Sequence, residues 1–258
     1  MMKNGKVYLI GAGPGDPELI TLKAVRILQN ADVVLIDDLV NPLLLEHVRA
    51  GARVIGVGKR GGCQSTPQAF IHKQMIQAAG EGLLVARLKG GDPFMFGRGG
   101  EEIVALREAG IAVEVISGIT AGIAAPASLG VPVTHRHSAP GVTFITGHSR
   151  AGNQVNWAAL AVSQTTLVIY MGVKTLPDIV QQLLLGGLAG DTAALAIQNG
   201  TLPAQRQVKA TLSTLPAAIL AARIGSPAIV VIGAVADLAQ LEAYAGTVAP
   251  SGSVALAA

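Results

Sequence analysis

Short apolar runs of strand length recur along the chain, and longer segments with helical periodicity separate them. Five runs lie between residues 6 and 117 and five between residues 142 and 235. In chain order they are KVYLIG, DVVLID, RVIGV, LLVARLK, AVEVIS, VTFITG, TTLVIYMG, AALAIQ, QRQVKAT and AIVVIGAV. Most are apolar throughout rather than alternating, which is typical of strands buried on both faces of a largely parallel sheet. The pattern predicts an α/β fold.

The two sets of strands predict two α/β domains, each with a mostly parallel five-stranded sheet flanked by helices. We expect the first domain at residues 1–117 and the second at residues 118–245. Between the two sets, segment 117–141 is crowded with glycine, proline and small residues, so the hinge is expected there. Residues 246–258 have the composition of a flexible tail.

Composition and charge exclude several classes of function. The net charge is only +3, and four Phe, three Tyr and one Trp are few for stacking on bases, so we expect no nucleic-acid partner. The single cysteine, Cys63, excludes an internal disulfide framework and fits a reducing cytoplasm. The start MMKNGKVYLIG lacks the apolar region of a signal peptide, and no apolar run reaches the roughly 18 residues of a membrane span. We therefore expect a cytoplasmic protein with no membrane partner.

The first strand runs into a glycine-rich turn, VYLIGAGPGDPELITLKA (7–24). A dinucleotide-binding fingerprint needs glycine at its first, third and sixth positions; Gly11 and Gly13 fit, but Asp16 stands sixth. A carboxylate there would repel a pyrophosphate, although Asp37 and Asp38 end the second strand about where a ribose-binding acid is expected. A nicotinamide-dependent oxidoreductase remains an alternative. A P-loop is excluded, because no Gly-x-x-x-x-Gly-Lys-Ser/Thr occurs.

Eight motifs, in order and spacing, resemble those of the tetrapyrrole methylase family. They are GAGPGDPELITLKA (11–24), VVLIDDLV (33–40), VGKR (57–60), KGGDPFMFGRGGEE (89–102), VISGITA (115–121), TGH (146–148), YMG (170–172) and IQNGT (197–201). The resemblance covers residues 6 to about 240. It implies a homodimer of two-domain α/β chains that bind S-adenosyl-L-methionine in the cleft between the domains.

The activity implied by the resemblance is methyl transfer from S-adenosyl-L-methionine, which leaves S-adenosyl-L-homocysteine. The implied substrate is uroporphyrinogen III, methylated at C2 and C7 to give precorrin-2 by way of precorrin-1, in sirohaem, cobalamin or haem d1 synthesis. The nearest alternative is another family member, such as a precorrin-4 methyltransferase or an enzyme acting on rRNA or diphthine. A non-catalytic module that binds tetrapyrrole or cofactor is a third possibility.

The resemblance also assigns a set of residues to the cofactor site: Pro14, Gly90, Gly91, Asp92, Met95, Thr120, Ala121, Met171 and Gly200. From the residues themselves, Gly90 and Gly91 follow a buried strand, where ligands of open α/β sheets bind and where glycine lets the backbone approach closely. Asp92 either holds ribose hydroxyls or the ligand's ammonium group, or only initiates a turn. The two methionines are core residues by default, and only the resemblance makes them pocket lining.

A tetrapyrrole with eight carboxylates calls for arginines, which pair carboxylates bidentately. Arg98 and Arg136 lie in loops, and we expect both to bind the substrate, Arg98 as a catalytic residue too. Glu101 either accepts hydrogen bonds from pyrrole N–H groups or only favours a helix N-terminus. His148, at the end of a strand, either contacts the substrate or makes a structural hydrogen bond.

Asp37 and Lys59 match the positions to which the family assigns the general base and the general acid. Asp37 would take the proton that the ring loses after methylation, unless it only makes a structural hydrogen bond at a strand end. A solvated lysine is a weak acid at neutral pH, so the role of Lys59 rests on the resemblance. No metal site is expected, because His135 and His137 form a His-x-His pair without a third ligand at a clear spacing.

Overall fold

The structure, a computed structural model, describes residues 5–58, 66–148 and 154–241. Ten strands form two five-stranded sheets, each at the position of a predicted apolar run. The two-sheet α/β prediction is therefore confirmed. The expected tail at 246–258 lies outside the described residues. Among the described helices, none is both long enough and apolar enough to cross a membrane.

The first sheet is entirely parallel, with strand order β3-β2-β4-β1-β5. Its strands are β1 (Lys6–Gly11), β2 (Val33–Ile36), β3 (Arg53–Gly56), β4 (Leu84–Lys89) and β5 (Ala112–Ile116). Helices α2 (Gln68–Gly80) and α3 (Gly99–Glu108) cover one face, around Leu9, Leu35 and Met75. Helix α1 (Leu22–Leu28) and a 3-10 helix (Pro42–His47) cover the other. Burial on both faces explains why the inner strands β1, β2 and β4 are mostly apolar, whereas the edge strand β3 is largely exposed.

The second sheet has strand order β6-β7-β10-β8-β9. Its strands are β6 (Val142–Thr146), β7 (Thr166–Tyr170), β8 (Ala193–Gln198), β9 (Arg206–Thr211) and β10 (Ala228–Ile232). Helices α5 (Trp157–Ala161), α6 (Leu176–Leu185) and α7 (Leu215–Ala221) pack on one face. The short helix α4 (Ala121–Ala127), which lies inside the expected hinge segment, packs on the other face together with a 3-10 helix (Ala234–Leu238).

The second sheet corrects one expectation, since it is not mostly parallel. Only β6 and β7 pair in parallel; β10 pairs antiparallel with both β7 and β8, and β8 pairs antiparallel with β9. The short segment 199–205 between β8 and β9 cannot form the long crossover that parallel neighbours need. The apolar pattern missed this, because burial on both faces makes a strand apolar whatever its direction.

The strand ends determine where side chains can meet. All five strands of the first sheet end at one edge, and β6, β7 and β8, which run in the same direction as one another, end at one edge of the second sheet. The crevice outside such carboxyl ends is where open α/β sheets bind ligands. These two edges carry most of the predicted functional residues.

Candidate active site

Three glycine-rich turns meet backbone to backbone at the carboxyl edge of the first sheet. After β1 and β4, the N–H of Gly91 donates to the carbonyl of Gly13 at 2.7 Å, and the N–H of Gly13 donates back at 3.2 Å. After β5, a Cβ on Gly118 would lie only 2.3 Å from the carbonyl oxygen of Gly91 and 2.7 Å from the Cα of Gly11. The absence of side chains at these glycines brings the three turns into one surface.

This surface contacts the carboxyl edge of the second sheet. The N–H of Asp16 donates to Thr201 Oγ1, after β8, at 3.0 Å. The hydroxyl group of Tyr170, which ends β7, lies 2.7 Å from Thr120 Oγ1 and accepts the N–H of Gly122 at 2.8 Å. Burial raises the pKa of Tyr170 from its usual value, so the phenol stays protonated at neutral pH. The two edges therefore face each other, and we call the region where their loops meet the cleft.

All nine residues predicted for the cofactor site lie on loops at these two edges. Pro14 follows β1; Gly90, Gly91, Asp92 and Met95 follow β4; Thr120 and Ala121 begin α4; Met171 and Gly200 follow β7 and β8. A Cβ on Gly200 would lie 2.4 Å from the Cβ of Ala125, so helix α4 packs tightly against the loop after β8. The structure brings these loops together, and what they bind remains a prediction.

Backbone strain is concentrated at the same edges. Seven described residues other than glycine have positive φ, and five of them lie in these loops: Phe96, Arg98, Met171, Asn199 and Thr201. Such conformations cost on the order of 1–3 kcal/mol each and persist where surrounding contacts impose them, most often at functional sites. Met171 is also 52% exposed. A strained residue that presents a large apolar side chain to solvent favours the pocket-lining interpretation over the core one.

The Asp92 carboxylate makes structural hydrogen bonds with both oxygens. Oδ1 accepts the N–H of Phe94 at 2.8 Å, which is the turn-initiating arrangement, and Oδ2 accepts the N–H of Gly118 at 3.1 Å. The second bond ties the turn after β4 to the turn after β5. Each oxygen keeps a further lone pair, so the structural role leaves acceptor capacity for a ligand.

Asp37 lies at the carboxyl end of β2 over a buried group of charges. Its Oδ2 accepts from Arg87 Nη2 at 2.8 Å, and Arg87 Nε donates to Glu102 Oε1 at 3.2 Å. The same Glu102 oxygen accepts from Lys89 Nζ at 3.1 Å and from Gln68 Nε2 at 3.0 Å. Burial, and then the charge of Arg87, lowers the pKa of Lys89. We call Asp37, Arg87, Lys89, Glu102 and Gln68 the buried charge cluster.

Arg98 and Glu101 contact each other directly at the start of α3. Arg98 Nε and Nη2 donate to the two carboxylate oxygens of Glu101 at 2.9 and 2.6 Å. This hydrogen bond raises the pKa of Arg98, and both side chains are about half exposed. The pair places a guanidinium beside the cleft loops. A carboxylate that bound Arg98 would share the guanidinium with Glu101.

Three further residues were predicted for the site: His148, Arg136 and Lys59. His148 follows β6 at the cleft edge of the second sheet and is exposed. Arg136 lies at the opposite edge of the second sheet, in a cavity with Thr166 and Gly233. Thr166 begins β7, whereas Met171 follows the carboxyl end of that strand, about 15 Å away along it. The structure thus does not bring Arg136 together with Arg98 within one chain. Lys59 lies outside the described residues.

Sequence reasoning missed Tyr170 and most of the buried charge cluster. A signal for the cluster exists: Arg87 and Lys89 alternate in an otherwise apolar strand, so both point to one face. Buried cations require a carboxylate partner, which Glu102 provides. Tyr170 carries no comparable signal, because a tyrosine that ends an apolar strand is commonplace. Within the described residues, no three His, Cys, Asp or Glu side chains are grouped as metal ligands.

Comparisons with known proteins agree with this geometry. The family model for tetrapyrrole (corrin/porphyrin) methylases matches residues 6–216. A uroporphyrinogen-III C-methyltransferase of Pseudomonas fluorescens is 52% identical over 237 residues, which are 92% of this chain and 96% of the relative.

Two solved structures show the same fold. A uroporphyrin-III C-methyltransferase from Thermus thermophilus, in complex with S-adenyl homocysteine, is 37% identical with a TM-score of 0.77, over 90% of this chain and 93% of that one. A cobalt precorrin-4 methyltransferase superposes with a TM-score of 0.81 at 29% identity, over 90% of this chain and 96% of that one. The backbone is thus shared between enzymes with different substrates, so its shape alone does not identify the substrate.

Proposed function

Because the chain belongs to the tetrapyrrole (corrin/porphyrin) methylase family, we propose that it methylates uroporphyrinogen III at C2 and C7, giving precorrin-2 by way of precorrin-1. The methyl donor is S-adenosyl-L-methionine, and the coproduct is S-adenosyl-L-homocysteine. The observation that carries this proposal is the 52% identity to a uroporphyrinogen-III C-methyltransferase along nearly the whole of both chains. The cobalt precorrin-4 methyltransferase has a higher TM-score, 0.81, than the Thermus enzyme, 0.77, but its sequence identity to this chain is only 29%.

The cleft loops fit an S-adenosyl group. A Cβ on Gly91, in its left-handed conformation, would have no neighbouring atom nearer than 3.8 Å, so the backbone there is open to a ligand. Gly90, Gly91 and Asp92 would supply backbone and carboxylate groups on one side, with Pro14, Met95, Thr120, Ala121, Met171 and Gly200 around them. When bound, S-adenosyl-L-methionine supplies a methyl group that its sulfonium has already activated.

The remaining task of the chain is to hold the tetrapyrrole and to accept a proton. Arg98 binds a substrate carboxylate, while Glu101 keeps the guanidinium oriented and accepts pyrrole N–H groups. His148 contacts the substrate from the second sheet. After a ring carbon has taken the methyl group, the ring loses a proton, which Asp37 accepts. Lys59 acts as general acid.

An anaerobic assay tests the function. The purified protein is incubated with S-adenosyl-L-methionine and uroporphyrinogen III, and the product mass is followed. We expect a gain of two methyl groups, with one methyl group as the intermediate. A parallel reaction on precorrin-4 is the control, and a gain there alone would replace the proposed substrate by that of the structural neighbour. Unchanged mass in both reactions would contradict both assignments.

We also propose that the protein is a cytoplasmic homodimer. The ground for the dimer is the resemblance to dimeric family members, and the ground for the compartment is the single cysteine in 258 residues. Sedimentation at micromolar concentration is expected to give twice the chain mass of 26.2 kDa. A single-chain mass would contradict the dimer.

A further inference from the structure

The buried charge cluster is an expensive feature for a fold to keep. Arg87 is 2% exposed and Glu102 is completely buried. Replacing buried ion pairs by packed apolar residues is often neutral or stabilising, so such a cluster is weak evidence for stability. Glu102 Oε2 accepts no hydrogen bond from the described residues, which adds to the cost. The cost of this arrangement favours a role other than holding α3 against the sheet.

The cluster reaches solvent through Asp37. The Asp37 side chain is 32% exposed, whereas Arg87, Lys89 and Glu102 are enclosed between β4 and helices α2 and α3. Among the described residues of the cluster, Lys89 and Gln68 each make a hydrogen bond to Glu102 and none to Asp37. Arg87 alone joins Glu102 to the exposed carboxylate.

The Arg87 guanidinium is fixed in three directions. Nε donates to Glu102, Nη2 to Asp37 and Nη1 to the carbonyl of Leu88 at 3.3 Å. A planar group with these contacts holds the Asp37 carboxylate at one angle to the backbone of β4. The flexible ammonium of a lysine would keep the charge but not this geometry.

The other end of the connection lies close to the substrate-binding side chains. Glu102 directly follows Glu101 in the first turn of α3, and Arg98 immediately precedes that helix. The chain Asp37–Arg87–Glu102 therefore links the proposed proton acceptor to the helix turn that carries the proposed substrate ligands. A shift of Asp37 or of the first turn of α3 would be transmitted to the other through Arg87.

We propose that Arg87 is a positioning residue for the methyl-transfer reaction: through its bonds to Asp37 and Glu102, it holds the proton-accepting carboxylate in register with the substrate-binding turn of α3. This inference rests on the proposed function, because it takes Asp37 as the proton acceptor. A misplacement of about 1 Å can cost on the order of 100-fold in rate. The effect belongs in kcat rather than in cofactor binding, since the hydrogen bonds that the Arg87 side chain makes within the described residues go to Asp37, Glu102 and the carbonyl of Leu88, and not to the cleft glycines.

The test is a double-mutant cycle between Arg87→Met and Asp37→Asn, with turnover of uroporphyrinogen III, KM for both substrates and thermal unfolding as readouts. We expect Arg87→Met to lower kcat about 100-fold with KM for S-adenosyl-L-methionine changed less than threefold. In the Asp37→Asn background, the same change should cost less than threefold, because the group that it positions has gone. Arg87→Lys should recover only part of the loss.

Lys89→Met is the matched control. It removes a buried cation that bonds the same Glu102 oxygen and that acts on Asp37 through its charge alone, without a hydrogen bond that would orient the carboxylate. We expect kcat within threefold of the parent and a decrease in melting temperature similar to that of Arg87→Met. Equal losses of kcat in the two variants, or full additivity in the cycle, would mean that Arg87 is only structural and would overturn the inference.

Two outcomes separate this inference from the proposed function. If Asp37→Asn keeps full activity, Asp37 is not the proton acceptor, and that assignment fails whatever Arg87 does. If Arg87→Met does not fold, the cycle is run with Arg87→Lys, for which we expect a kcat loss of about tenfold in the parent and none in Asp37→Asn. Additive losses of kcat in the cycle of Arg87→Lys and Asp37→Asn would also overturn the inference.

Discussion

At the scale of single residues, Arg98 offers the sharpest test of the substrate side of the cleft. It has a left-handed backbone at the start of α3, and its guanidinium contacts Glu101 through two hydrogen bonds. We expect Arg98→Ala to lower kcat/KM for uroporphyrinogen III by about 10- to 100-fold, the loss of a charged hydrogen bond of roughly 1.5–3 kcal/mol. Single-turnover kinetics measures it, and calorimetry should show unchanged affinity for S-adenosyl-L-homocysteine.

The control for Arg98 lies on the same helix. Arg107→Ala removes an exposed arginine from the last turn of α3, away from the cleft. Its kcat/KM should stay within twofold of the parent. If Arg98→Ala abolished binding of S-adenosyl-L-homocysteine instead, Arg98 would belong to the cofactor half of the site.

Residue types indicated which strand ends carry the candidate site residues, but they did not indicate the contacts between those residues. The glycine turns could be recognised because open α/β sheets bind ligands at the carboxyl ends of their strands, whereas the role of Asp37 rests on the resemblance and stays a prediction. The contact of Tyr170 with Thr120 joins residues that are 50 positions apart, and no local pattern specifies it. For Arg136, the sequence carried no information about the end of the sheet to which its loop returns, and substrate binding by Arg136 stays a prediction.

At the scale of elements, strand β5 is held at the edge of the first sheet partly by charge. Glu114 on β5 pairs with Lys6 of β1 and Lys23 of α1, each at 2.6 Å. Hydrogen bonds from Lys23 and then Lys6 lower the pKa of Glu114 from 4.5 to about 2. A carboxylate whose pKa is lowered by folding stabilises the fold at pH values above its pKa in the unfolded state. This contribution disappears as the pH falls through its pKa in the folded state.

Glu114→Gln should therefore destabilise the protein by less than about 1 kcal/mol at pH 7, because the pairs are partly exposed. The difference from the parent should shrink below pH 4.5 and vanish near pH 2. Urea unfolding at pH 7 and pH 3 measures it. The control Glu108→Gln removes an exposed carboxylate from the end of α3. A difference that does not depend on pH would show that the ion pairs contribute nothing.

Element positions could be predicted from the sequence, but pairing could not. Every strand lies within its predicted run, and burial explains this for the inner strands, whereas the edge strands β3 and β9 are exposed or only partly buried. Strand order and direction depend on connection lengths and on helix packing, so the antiparallel pairs of β10 left no trace in its sequence. The two sheets nevertheless present their carboxyl edges to each other, and only the resemblance had implied that the domains meet at the site.

At the scale of the whole molecule, a hydrogen bond between Asp16 and Thr201 joins the two edges of the cleft. Thr201 is buried and β-branched at a positive φ, so its conformation is imposed by the surrounding loop. Its hydroxyl links the turn after β1 to the loop after β8, two of the loops proposed to surround the cofactor. Removing that oxygen alone should loosen the cleft without unfolding either sheet.

Thr201→Val keeps the shape and the branching of the side chain and removes the acceptor for the N–H of Asp16. We expect the affinity for S-adenosyl-L-homocysteine to fall about two- to tenfold, the equivalent of one hydrogen bond of roughly 0.5–1.5 kcal/mol. Calorimetry at constant pH and salt measures it. Thr143→Val is the matched control, since it breaks a side-chain hydrogen bond to Thr165 near the other edge of the second sheet. Equal affinities in the two variants would show that the two halves of the cleft do not depend on this contact to bind the cofactor. A selective loss in Thr201→Val would show that closure of the cleft contributes to cofactor affinity.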